Sequence, residues 1–155
     1  MSTPQDRLAG LGLVLPPVAA PVAAYVPAVR TGSYVYTAGQ LPLAEGKLLA
    51  TGKVGAQISA EEAARLARTC ALNGLAAVAS VAGGLSAIRR IVKVTGFVAS
   101  SPGFTGQPQV LNGASELLLE VLGEAGRHAR SAVGVAELPL GAPVEVELIA
   151  EVGDG

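Results

Sequence analysis

Aromatic residues make up only 3% of this chain: there is no Trp, and there are two Phe and three Tyr. Half of the residues are nevertheless hydrophobic, so the core is built from many small side chains, chiefly Ala, Val and Leu. Charge is equally sparse, at 15% of residues against roughly 25% in an average soluble domain. Low charge with high apolar content excludes a disordered chain, which has the opposite balance. Eleven Lys plus Arg against twelve Asp plus Glu leave a net charge of −1. That argues against sequence-independent binding to a phosphate backbone, which needs clustered positive charge. A single cysteine, Cys70, cannot form an internal disulfide, and with one histidine, His128, it supplies too few ligands for zinc.

Residues 8–29 carry no charge, yet they contain Pro16, Pro17, Pro21 and Pro27. A membrane span needs about 20 apolar residues free of strong helix breakers, so no transmembrane helix is expected. Leu8 to Leu15 followed by Val18-Ala19-Ala20 has the outline of a short leader. Asp6 beside Arg7 and the interruptions at Gly10 and Gly12 argue against one, which leaves a cytoplasmic protein as the expectation. At 155 residues one domain is expected, with 1–17 as an N-terminal arm and 18–155 as the domain.

The hydrophobic periods predict an ordered set of elements. The arm holds a short helix at most, ending before Pro16-Pro17. Ser33–Thr37 is rich in β-formers and is broken by Ala38-Gly39-Gln40. Ser59 and Glu62 have capping-box spacing. After them, Ala63, Leu66, Ala67, Cys70, Gly74, Ala77, Val78 and Val81 recur at helical spacing until Gly83-Gly84. Cys70 on that stripe reads as a small core residue. Ile88–Ala99 reads as a strand with Val92, Val94, Gly96 and Val98 on one face and Ile91, Lys93, Thr95 and Phe97 on the other. Neither face is wholly polar, so one helix layer leaves the second face for another subunit. Residues 107–122 form a second helix. Residues 130–136 and 144–152 form two strands joined by the loop 138–143 and read as a pair. The expected fold is therefore an α+β sandwich of one mixed sheet with two helices on one face.

Few residues are equipped for chemistry. The sequence has no phosphate-binding glycine loop, nucleophile elbow or pair of metal-spaced histidines. What remains is Arg130, opening a strand of small and apolar residues, and Glu145 with Glu147 on one face of the last strand. Arginine offers a planar, permanently charged fork to a carboxylate, and a glutamate can orient a water or take a proton. The residues alone equally allow a structural ion pair between Arg130 and Glu145 or Glu147. Asn112 in the second helix and Tyr25 among small residues earn no role by themselves.

An ordered set of segments changes that. Tyr25-Val26, Thr37-Ala38-Gly39-Gln40-Leu41-Pro42, Arg130-Ser131-Ala132-Val133, Leu138-Pro139 and Val144-Glu145-Val146-Glu147 together resemble the RidA (YjgF) family over roughly residues 18–152. The resemblance implies a fold like that of bacterial chorismate mutase and a homotrimer with clefts at subunit interfaces. It also implies hydrolysis of reactive 2-imino or enamine acids to 2-keto acids and ammonia, with no cofactor and no metal. Arg130 then corresponds to the arginine gripping the substrate carboxylate, and Glu145 to the glutamate that positions water. Tyr25 (from a neighbouring subunit), Gly39, Gln40 and Asn112 correspond to cleft-lining positions. The substrate-binding position two after the arginine, commonly Cys, is Ala132 here. Other departures are a longer arm, Ala23-Ala24 before Tyr25, and one extra residue between Asn112 and Arg130. The partners expected are a small carboxylate-bearing imine or keto acid and further copies of the chain, with no nucleic acid and no membrane. The alternative is a non-catalytic, regulatory trimer binding a small metabolite in the same cleft. RNA cleavage, a third activity attached to this family, is disfavoured by the balanced charge and the scarcity of aromatics.

Overall fold

Strict alternation in the last strand sets the architecture. In a computed structural model, which describes residues 2–20 and 23–154, Val144–Val152 form a strand whose odd members face away from its even ones. Val144, Val146, Leu148, Ala150 and Val152 are all buried, and the residues between them are half-exposed. In chain order the elements are α1 (Pro4–Gly10), β1 (Ala28–Thr31), β2 (Tyr34–Thr37), β3 (Leu43–Ala44), β4 (Lys47–Leu48), α2 (Ala60–Ala82), β5 (Ile88–Ala99), α3 (Gln107–Leu122), β6 (Ala129–Val135) and β7 (Val144–Val152). Five strands form one sheet in the order β1-β2-β7-β5-β6, and β3-β4 make a separate small ribbon. All pairings in the main sheet are antiparallel except β5 with β6, so the sheet is mixed, as expected. Among the described residues no helix is long and apolar enough to cross a membrane.

The helices lie on the face that carries Val94, Leu148 and Ala150. The small residues of the sequence let these layers approach closely. Leu148 of β7 packs on Gly74 of α2, and Leu111 of α3 sits over Gly96 of β5. Where the two helices cross, Gly113 lies against the backbone of Ala64, so a β-carbon at 113 would overlap the Ala64 carbonyl. A core of small residues thus gains its apolar contact from short interlayer distances rather than from large side chains. Helix α2 is capped by Ser59, whose hydroxyl accepts the Glu62 N–H at 3.1 Å, and it ends at Gly83 with φ 95°. Of the expected box, this arm is the one formed. A complete reciprocal box occurs instead at Thr3 and Asp6, at the start of α1. Within the arm, Leu8 is buried in the core, and Leu13 and Leu15 pack against it.

Two sequence expectations are corrected by the register. The strands β6 and β7 are not partners, because β5 lies between them, parallel to one and antiparallel to the other. The short loop after β6 suggested direct pairing with β7, but the connection carries the chain past the end of β5. The simple two-face reading of β5 also fails near its start. Register shifts between Ile88 and Arg90 and between Ile91 and Lys93 place both Ile91 and Val94 in the core, as bulges do when they re-aim side chains. From Lys93 onward the alternation holds.

Candidate functional site

A break in the sheet builds the first half of the site. The strands β2 and β7 pair through Tyr36 and Ile149, and pairing resumes only at Gln40 and Val146. Three residues of one strand, 37–39, therefore face two of the other, and the ladder opens. The Leu148 N–H that faces this gap is satisfied by the Thr37 hydroxyl at 3.0 Å. Gln40 closes the gap. Its backbone exchanges two hydrogen bonds with Val146, at 2.8 and 3.0 Å, and its buried amide donates to the Ala38 carbonyl. From α2, the buried Asn73 donates to the Leu41 and Leu43 carbonyls at 3.1 and 3.0 Å, fixing the segment that follows.

The carboxylate of Glu145 reaches into this opening and lies against Gly39, where a β-carbon would overlap it. Gly39, Gln40, Tyr25, Leu41, Pro139 and Glu145 line a cavity of about 50 Å³, room for a few water molecules. Burial, followed by the neighbouring charge of Glu147, raises the Glu145 carboxyl above its ordinary range. Both effects penalise the charged form.

The second half lies elsewhere. Arg130 is aligned with Val94, and Val94 with Leu148, so its side chain leaves the sheet on the helix-covered face. Glu145 is aligned with Phe97 and leaves on the open face. Arg130 and Glu145 of one chain therefore project to opposite sides, two strands or about 10 Å apart across the sheet, and do not pair. The Arg130 guanidinium is held by α3 alone. Nη1 donates to Asn112 Oδ1 at 2.9 Å and to Ser115 Oγ at 3.2 Å, and Nη2 donates to the Pro108 carbonyl at 3.3 Å. All three acceptors are neutral. Of the five N–H donors of a guanidinium, two have no acceptor among the described residues, enough for one bidentate carboxylate. Ala132, two residues along, is aligned with Gly96 and packs against the core.

The seven residues picked out by sequence thus form two groups: Tyr25, Gly39, Gln40 and Glu145 at the open cleft, and Arg130, Asn112 and Ala132 on the helix side. Four further residues were missed. Thr37 and Asn73 hold the cleft, while Ser115 and His128 extend the arginine network, with Ser115 Oγ 2.8 Å from His128 Nε2. Ser115 was within reach of a sequence argument, since it lies three residues beyond Asn112 on the same helix face. Cys70 is fully buried, and burial pushes its thiol well above its ordinary value, as suits a core residue. Among the described residues no group of three or more His, Cys, Asp or Glu could hold a metal ion.

A mixed five-stranded sheet backed on one face by helices, with an opened β2–β7 ladder, defines an α+β protein of the chorismate-mutase-like class. Residues 5–152 match the family described as "YjgF/chorismate mutase-like, putative endoribonuclease", and the chain belongs to that family. Protein TCP17 of Trypanosoma cruzi is 45% identical over 149 residues, covering 96% of this chain and 93% of its own length. Among solved structures, an Agrobacterium tumefaciens protein of unknown function is 47% identical with a TM-score of 0.91, over 97% of this chain and 94% of that one. A Shewanella oneidensis protein, described as a "putative endoribonuclease", is 39% identical with a TM-score of 0.94, over 97% and 100%. Escherichia coli TdcF, crystallised with bound serine, is 28% identical with a TM-score of 0.65, over 88% and 94%.

Proposed function

We propose that the protein hydrolyses reactive 2-imino and enamine acids to 2-keto acids and ammonia, with Arg130 holding the substrate carboxylate and Glu145 positioning the attacking water. The observation that carries this reading is the state of Arg130: a half-buried residue whose guanidinium is fixed by three neutral acceptors, with no ion pair and two donors to spare among the described residues. A permanent cation held in this way is complementary to a small anion. A binding site for serine in TdcF, a relative with a carboxylate-bearing ligand, supports the same substrate class.

Because Arg130 and Glu145 of one chain face opposite sides of the sheet, a site that uses both is assembled between copies. We take the assembly to be a homotrimer. The open face of the sheet favours such a covering, since Val29, Tyr34, Tyr36 and Val133 are each between 43% and 53% exposed there. An apolar patch of this kind marks an interaction surface.

The chemistry asks little of the protein. The carboxylate clamp orients the iminium carbon, and water adds to that carbon as the C=N π pair moves to nitrogen. Glu145 takes one proton from the water and passes it to the amine; as the C–N bond breaks, the hydroxyl oxygen's electron pair forms the C=O bond and the hydroxyl proton goes to Glu145, leaving a 2-keto acid and ammonia. A carboxyl held above its ordinary range is better matched to this exchange than a strongly acidic one.

The test generates imines in situ with an amino-acid oxidase and follows their trapping by semicarbazide. The wild-type protein is expected to suppress trapping, and Arg130→Ala and Glu145→Gln to lose that effect. Turnover unchanged in Arg130→Ala overturns the clamp. If no imine, small, branched or aromatic, is hydrolysed while keto acids still bind through Arg130, the protein is a metabolite-binding trimer instead.

A further inference from the structure

We propose that Ser115 and His128 are positioning residues for Arg130, setting the direction in which its guanidinium presents its two remaining donors to the substrate carboxylate; this rests on the reading of Arg130 as the clamp. The proton pattern of the network has one solution with a neutral ring. His128 Nδ1 is 2.6 Å from the Gly126 carbonyl, which can only accept, so Nδ1 carries the hydrogen. Nε2 is then an acceptor and takes the hydrogen of Ser115 Oγ at 2.8 Å. With its hydrogen so committed, the hydroxyl turns a lone pair toward Arg130 Nη1 at 3.2 Å. The second hydrogen of Nη1 goes to Asn112 Oδ1. The chain from the Gly126 carbonyl through His128 and Ser115 to Arg130 is therefore ordered at each link. It runs from the 3₁₀ turn at Gly123–Gly126 through the entrance of β6 to α3.

The chemical character of these partners matters as much as their geometry. An Asp or Glu at position 115 would hold the guanidinium more tightly but neutralise it, in direct competition with a substrate carboxylate. A hydroxyl backed by an imidazole, with no carboxylate in the network, fixes orientation and leaves the positive charge for the ligand. Orientation is what a bidentate contact requires, because both N–H···O bonds must align together.

The experiment measures KM and kcat for imine hydrolysis, and calorimetric binding of the 2-keto acid product, in Ser115→Ala, Ser115→Thr, His128→Leu, His128→Gln and Arg130→Ala. Loss of one ordering hydrogen bond is expected to raise KM and weaken keto-acid binding about tenfold in Ser115→Ala and His128→Leu, with kcat within about twofold. Ser115→Thr keeps the hydroxyl, and His128→Gln keeps an acceptor near the Nε2 position, so both are expected to stay within about threefold of wild type. Ser115→Ala places a strong helix former in α3 and keeps the test available should His128→Leu fail to fold. Unchanged KM in Ser115→Ala, with Arg130→Ala defective, overturns the positioning role while leaving the clamp intact. Equal impairment of Ser115→Thr and Ser115→Ala overturns it as well. Unchanged binding in Arg130→Ala overturns the clamp and this inference together.

Discussion

The carboxylate of Glu145 occupies the space that a β-carbon at Gly39 would need. Glycine at 39 is thus a matter of close approach across an opened ladder, and it ties the loop after β2 to the chemistry proposed for β7.

Gly39→Ala is accordingly expected to displace the Glu145 carboxylate without unfolding the chain, because the group in the way is the end of a flexible side chain. Activity in the imine assay should fall by about tenfold or more, the usual scale for a misplaced acid–base group, while the melting temperature moves by only a few degrees. Full activity in Gly39→Ala would separate this contact from function.

The raised Glu145 carboxyl predicts opposite effects of one substitution on stability and activity. Its affinity for a proton is higher in the folded than in the unfolded chain, so folding is favoured at low pH. That advantage is lost as pH rises from the ordinary glutamate value through the folded one. Glu145→Gln should therefore raise the melting temperature at neutral pH by about 2 °C, with the gain vanishing in acid, while turnover is abolished. Glu147→Gln removes one cause of the shift and should move the acid limb of the rate profile to lower pH. An acid limb that stays in place would show that Glu145 is not the group being titrated.

Asn73 donates both of its amide hydrogens to the Leu41 and Leu43 carbonyls from a position within the apolar stripe of α2. Asn73→Ala leaves these carbonyls without their donor and should cost about 2 kcal/mol, read from the denaturant midpoint. Since the segment it holds follows Gln40 directly, activity should fall more than the loss of stability explains.

Gly113→Ala is expected to be the most disruptive of the single-methyl changes. Its β-carbon would meet the Ala64 backbone rather than a movable side chain, forcing α2 and α3 apart at a cost of about 3 kcal/mol. A drop in melting temperature of roughly 10 °C is the scale to look for. A variant as stable as wild type would mean that the helices can slide at this crossing.

How much of this was legible beforehand divides along physical lines. Ile88–Ala99, Gln107–Leu122 and Val144–Val152 were readable to the residue, because apolar periods of 2 and 3.6 and flanking glycines are local signals. The α2 stripe was readable as well, with only Val81 left partly exposed, at 37%. Arg130 stood out because it opens a strand of small and apolar residues, whereas only the family resemblance separated Glu145 from Glu147 on the last strand.

Sequence by itself thus determined the elements, the small-residue core and the α+β class, and it narrowed the candidates for chemistry to a few residues. Tertiary structure alone decided how those elements are ordered and which way the key side chains point. The insertion of β5 between β6 and β7 turned a plausible Arg–Glu ion pair into two groups on opposite faces. The bulge at residues 37–39 seated Glu145 against Gly39, and α3 brought Ser115 and Asn112 to Arg130. These are contacts between residues distant in the chain, set by strand order and register, and local periodicity carries no information about which strand a given strand will lie beside.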